Sequence, residues 1–174
     1  MEVSSRPSSL KTKLKEQFNM KTKNVVTAGV IASLYVVLTL ISAAMGLSGN
    51  VIQLRLSEAL TVLPYFTPAA IPGLFIGCLI ANILTGAIAV DVICGSLATL
   101  IGAIGTYMLR KYKYLVSIPP VIANMIIVPF VLKYAYHLDE AFWYMMVTVG
   151  IGEIICCCIL GNLLLFSAEK AIKR

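Results

Sequence analysis

Arg55 and Glu58 stand three residues apart inside the apolar run from Asn50 to Gly86, NVIQLRLSEALTVLPYFTPAAIPGLFIGCLIANILTG. A charged side chain at membrane depth costs about 2.5 to 3.5 kcal/mol on insertion scales, so such a pair needs a partner or a ligand. Glu153 poses the same demand more sharply, because its nearest charged neighbours in sequence are Glu140 and Glu169 and everything between is apolar or small. An unpaired carboxylate there must find a partner or take up a proton. Asp91, Asn82 and Asn124 complete a set of polar residues lying in otherwise apolar segments. Carboxylates accept hydrogen bonds and attract cations, while amide and guanidinium groups donate. Together they mark a set of polar groups that needs partners or a ligand.

Each of these residues also has a plainer reading. Arg55 and Glu58 can satisfy each other as an i,i+3 pair. Asp91 can cap the N-terminus of a helix, where the dipole favours an anion. Trp143 and Tyr144 suit interfacial anchoring, with stacking on a ligand as the other role. Cys78, Cys94, Cys156, Cys157 and Cys158 contain no CxxC spacing. Three consecutive helical cysteines point about 100° apart, so they read as small apolar filler and no metal site is expected. A single histidine, His137, makes no catalytic dyad, and no nucleotide-binding, serine-hydrolase or zinc-protease motif is present. The sequence therefore predicts neither an enzyme nor a cofactor, and no nucleic-acid partner.

The elements that must carry these residues follow from composition. The chain has 174 residues, 59% of them hydrophobic, and a mean hydropathy of +0.91. That is more apolar surface than one soluble domain of this length can bury, which predicts an all-α integral membrane protein. Residues 1–23 form a basic segment with Arg6, Lys11, Lys13, Lys15, Lys21 and Lys23 against Glu2 and Glu16. Leu10, Leu14 and Phe18 recur there at four-residue spacing, which suits either a helix on an anionic membrane surface or a disordered tail. A cleavable signal is disfavoured, because the apolar run from Val25 is too long for one. Six helices are expected over residues 24–46, 55–66, 68–85, 89–110, 114–133 and 139–168. Pro64, Pro68 and Pro72 separate the second from the third, and Pro119, Pro120 and Pro129 bend the fifth. Residues 24–170 thus form one membrane domain, followed by a basic tail at 171–174.

Charge predicts orientation. Six crossings with a cytoplasmic N-terminus put the basic tail, Arg110, Lys111, Lys113, Lys170, Lys173 and Arg174 inside, leaving only Arg55 and Lys133 outside. Both termini are then cytoplasmic, in a multi-pass protein of the plasma membrane. Merging the second and third helices would put the basic turn on the wrong side. With six crossings, Arg55, Glu58, Asn82 and Asp91 lie toward the outer surface, Glu153 and Asn124 lie near mid-membrane, and Asn162 is the polar exception in the inner half. The polar groups converge on one outward-facing region. Ala28 and Ala32 in the first helix form a small-xxx-small pair, suited either to internal packing or to docking another helix.

Six short helices in fewer than 180 residues, the AxxxA of Ala28 and Ala32, and no motor of its own make the chain resemble the substrate-binding S component of an energy-coupling factor (ECF) transporter. The run LRLSEALTVLPYFTPAAIPGLFIGCLIANILTG resembles more narrowly the QueT family, associated with uptake of queuosine precursors such as 7-aminomethyl-7-deazaguanine (preQ1). The resemblance covers residues 24 to 170. It implies a ligand pocket in the outer half, and transport driven by a membrane T component and two cytoplasmic ATPases. It gives Ala28 and Ala32 a docking role toward the T component. A deazaguanine offers N1–H and an exocyclic amine side by side to a carboxylate, needs a donor for its carbonyl, and carries a cationic aminomethyl group. Glu58, Asp91 and Glu153 are the candidate acids, with Arg55, Asn82 and Asn124 as donors. The expected pairing sets Glu153 against the guanine edge and Glu58 or Asp91 against the amine. The alternatives are an S component for a vitamin or another nucleobase, an autonomous small carrier, and an assembly subunit whose charges pair only with one another.

Overall fold

The computed structural model describes residues 7–47 and 53–172, and among these all regular structure is helical. Arg6, Asn50, Lys173 and Arg174 lie outside the described residues. Helix α1 runs from Pro7 to Ala44, so the expected tail and first helix are one continuous element of 38 residues. The second expected helix is a 3-10 segment, Leu56–Tyr65, with Pro64 inside it. Then come α2 (Ala70–Leu84), α3 (Ala89–Met108) and α4 (Ile118–Tyr134). The last expected helix is α5 (Phe142–Glu153) continued through a π-helical turn, Ile154–Leu160, into α6 (Gly161–Ile172).

Among the described residues, three helical stretches are long and apolar enough to cross a membrane: Gln17–Ala44, Ala89–Met108 and Phe142–Ala171. Helices α2 and α4 are equally apolar but shorter. Large apolar side chains stay exposed along every one of these helices, among them Val30, Ile76, Ile93, Ile122 and Ile154. A water-soluble monomer rarely exposes that much contiguous apolar surface, whereas a bilayer solvates it. The chain is a multi-pass helical membrane protein.

The 3-10 segment lies at the centre, packed against α1, α2, α3, α6 and the π turn. Its position is set at its start, where the Leu56 amide donates to Ser42 Oγ on α1 at 3.0 Å. The main buried cluster joins Ile31 and Tyr35 of α1 to Leu60, Leu74, Cys78 and Ala103. A second one joins Val62 to Val116 and Leu165.

Close backbone approach, which small residues permit, governs the seam between α1 and α2. A Cβ on Gly73 would stand 2.7 Å from the Ala28 carbonyl oxygen, and one on Gly77 would stand 2.8 Å from Tyr35 Cβ and 3.0 Å from Ala32 Cα. Ala28 and Ala32 are therefore taken up by α2, and Ala32 is only 8% exposed. Ala28 itself stays half-buried, so the pair packs on α2 while part of its surface remains open. Beside the pair, α1 leaves open Gly29, where a Cβ would meet nothing within 4 Å, and the exposed Ser33.

Candidate functional site

Three residues per turn in the 3-10 segment stack positions i and i+3, which aligns Arg55, Glu58 and Thr61 in one row. Glu58 is 1% exposed, and the Tyr35 hydroxyl donates to its Oε1. Its second oxygen, Oε2, has no hydrogen-bond partner among the described residues. Beneath it the Thr61 hydroxyl donates to the Glu58 carbonyl at 2.6 Å. Arg55 Nη1 donates to Asn82 Oδ1 at 3.3 Å, tying the segment to α2.

Glu153 comes to the same place from α5. The π turn begins at the next residue, and such a turn shifts the helical register, so the faces before and after Glu153 do not continue each other. Cys157, one turn on, donates from Sγ to Glu153 Oε2 at 3.3 Å and lies 3.5 Å from the Glu58 carbonyl oxygen. Side-chain donor atoms of Glu58, Glu153 and Cys157 all fall within 4.8 Å of one another, all three residues being buried. Cys157 is thus part of the site and not the filler expected of it. Buried Asn124 of α4 lies beside both carboxyls.

Two neighbouring chambers lie here, and only the narrow one is lined by Glu58 and Glu153. The narrow one, about 20 Å³, is lined by Gln53, Arg55, Glu58, Gly95, Asn124, Val128, Val149 and Glu153. The wide one, about 510 Å³, shares Gln53, Arg55 and Val128 with it and opens among the helix ends, past Thr39, Thr85–Ala87, Asp91, Leu132, Tyr136 and Leu138. That size lies within the 300–1,000 Å³ typical of small-molecule sites. Asp91 stands in the wall of the wide chamber, where Tyr136 OH donates to its Oδ2 at 3.0 Å. Burial, then the Asp91 carboxylate, push the Tyr136 phenol up, so it remains a donor at neutral pH.

The structure therefore brings Arg55, Glu58, Asn124 and Glu153 together, holds Asn82 behind Arg55, and sets Asp91 about the mouth. Trp143 and Tyr144 line neither chamber: both are exposed, Trp143 meeting the Phe142 ring edge-on. Asn162, at the far end, accepts from Ser117 Oγ at 3.1 Å. Tyr35, Gln53, Cys157 and Tyr136 do not stand out in the sequence as site residues. One signal did exist for the first of them, since Tyr35, Thr39 and Ser42 repeat at helical spacing and form a polar stripe on an apolar helix.

A buried acid-rich cluster below a ligand-sized chamber in an all-helical membrane protein defines a membrane protein that binds a polar small molecule. Comparison with known proteins narrows this. The model of the QueT transporter family matches residues 25–170, and the chain belongs to that family of transporters. It is 37% identical over 94 residues to the queuosine precursor transporter QueT of Lactococcus lactis subsp. cremoris (strain MG1363), an alignment covering 53% of this chain and 55% of the relative. The match thus spans about half the length of the curated relative. No solved structure matches the chain.

Proposed function

We propose that this chain is the substrate-binding S component of an ECF-type importer, and that it captures a queuosine precursor, preQ1, from outside the cell. In this reading the chain crosses the plasma membrane six times with both termini cytoplasmic, and the wide chamber opens outward. A membrane T component and two cytoplasmic ATPases supply the energy, and the chain performs no chemistry on its ligand. The observation that carries the reading is the buried Arg55–Glu58–Glu153–Asn124 cluster beneath a chamber of about 510 Å³. A deazaguanine matches its inventory of acids and donors. The relative's printed name supports the substrate class. Docking on the T component falls to the face of α1 around Ala28 and Ala32, with the exposed Gly29 and Ser33 beside them.

Calorimetric titration of the detergent-purified chain alone tests this, with preQ1, guanine and a vitamin panel as ligands. Selective binding of preQ1 is expected. Binding of a vitamin and not preQ1 keeps an S component but removes the substrate. Uptake by vesicles containing only this chain favours an autonomous carrier instead.

A further inference from the structure

The two chambers admit different groups, and this assigns an orientation to the ligand of the reading above, on which the inference rests. The narrow chamber, about 20 Å³, has room for one water-sized group and none for a fused bicyclic ring. Its walls carry two carboxyls, Glu58 and Glu153, against one guanidinium, Arg55. With both carboxyls ionised, one negative charge is left unmatched, which is costly out of water. Neutral donors answer them in part: Tyr35 OH on Glu58 Oε1, Cys157 Sγ on Glu153 Oε2, and the Asn124 amide beside both carboxyls. Glu58 Oε2, buried, has no partner among the described residues. An occupant that lets both carboxyls stay ionised is therefore small, carries a single positive charge and has several N–H donors. A divalent ion would overshoot the charge beside Arg55, whereas a primary ammonium on a methylene meets all three conditions.

We infer that Glu58 and Glu153 form an ammonium subsite that takes the aminomethyl group of the ligand into the narrow chamber, leaving the ring in the wide chamber with its guanine edge on Asp91. This reverses the expectation from sequence, in which Glu153 meets the guanine edge. It also makes the carboxyl pair the specificity determinant, because a neutral substituent of similar reach gains nothing there.

Full-length protein in detergent is titrated with 7-aminomethyl-7-deazaguanine and with 7-cyano-7-deazaguanine, which has the same ring and a neutral substituent. The unaltered protein is expected to prefer the amine by about 10- to 100-fold, the worth of a charged hydrogen-bonded contact. Glu153→Gln brings the two affinities to within a few fold of each other while nitrile binding persists, which also shows that the variant is folded. Asp91→Asn, on a half-buried residue at the mouth, weakens both ligands by a similar factor and preserves the ratio. Equal affinities in the unaltered protein overturn the inference, as does a ratio that collapses in Asp91→Asn. A Glu153→Gln protein that melts normally yet loses both ligands equally overturns it too. If Glu153→Gln does not fold, the Asp91→Asn ratio decides. Should neither compound bind the unaltered protein, the substrate assignment itself falls and takes the orientation with it.

Discussion

At the scale of single residues, Tyr35 governs how Glu58 is presented. Its hydroxyl holds one carboxyl oxygen, and the other is buried without a hydrogen-bond partner among the described residues. Tyr35→Phe keeps the ring, which is 1% exposed, and strands a buried acceptor. The expected cost is about 1–3 kcal/mol of stability, read as a lower melting temperature in detergent, together with weaker preQ1 binding. Gly95 matters for a different reason. It lines the narrow chamber, and a Cβ there would stand 3.1 Å from Asn82 Nδ2 and 3.4 Å from Asp91 Oδ1. Those side chains can yield to one carbon, but the two further methyls of valine must enter the chamber. Gly95→Val is therefore expected to reduce ligand affinity more than about 10-fold while costing about 1–3 kcal/mol of stability or less. Titration and melting on the same preparation separate the two effects.

At the scale of elements, the seam between α1 and α2 is what aims Tyr35. Gly73 and Gly77 let the helices approach until Tyr35 reaches across to the 3-10 segment. Gly77→Val places its Cβ against Tyr35 Cβ and the Ala32 backbone, neither of which can swing away. It is expected to destabilise the fold by about 1–3 kcal/mol or more and to weaken ligand binding without touching the ligand. Gly29→Ala is the matched control on the same helix: its Cβ meets nothing, and its melting temperature stays unchanged or rises slightly, in line with the roughly 1 kcal/mol helix preference of alanine over glycine. A bulky Gly29→Leu tests the open face, where the expected outcome is normal binding with impaired uptake once T component and ATPases are present. Gly86, at φ +75, ends α2 in a backbone region that glycine adopts freely, which turns the chain into α3 and brings Asp91 to the chamber mouth.

At the scale of the whole molecule, the charges that should orient the chain in the membrane are separate from those that make the site. Lys113 in the turn after α3 pairs with Glu169 of α6, both partly exposed, so this ion pair contributes at most about 1 kcal/mol. Its position at the same end as the basic turn agrees with a cytoplasmic assignment of that end. Fusing a fluorescent protein and, separately, alkaline phosphatase after Arg174 and after Leu138 tests the topology. Fluorescence without phosphatase activity is expected at Arg174 and the opposite pattern at Leu138. Phosphatase activity at Arg174 would remove the six-crossing arrangement.

Composition and periodicity alone determined that the chain is an all-helical membrane protein. Proline and polar breaks placed the helices after the first within a few residues of where they stand, while α1 begins at Pro7, well before the expected start, because hydropathy marks where lipid solvates a helix and not where the helix itself begins. The cost of burying charge likewise singled out Arg55, Glu58 and Glu153, since no apolar segment keeps such residues without cause. Local sequence could not show that the second helix is 3-10, that a π turn follows Glu153, or that Cys157 belongs with the two acids. Those depend on how a short central segment is squeezed between α1, α3 and α6. Nor could it name the helix that Ala28 and Ala32 approach within the chain, because a small-residue pair announces a close approach and not the identity of the helix that makes it. That contact fell to Gly73 and Gly77, distant in sequence and met only once the chain is folded.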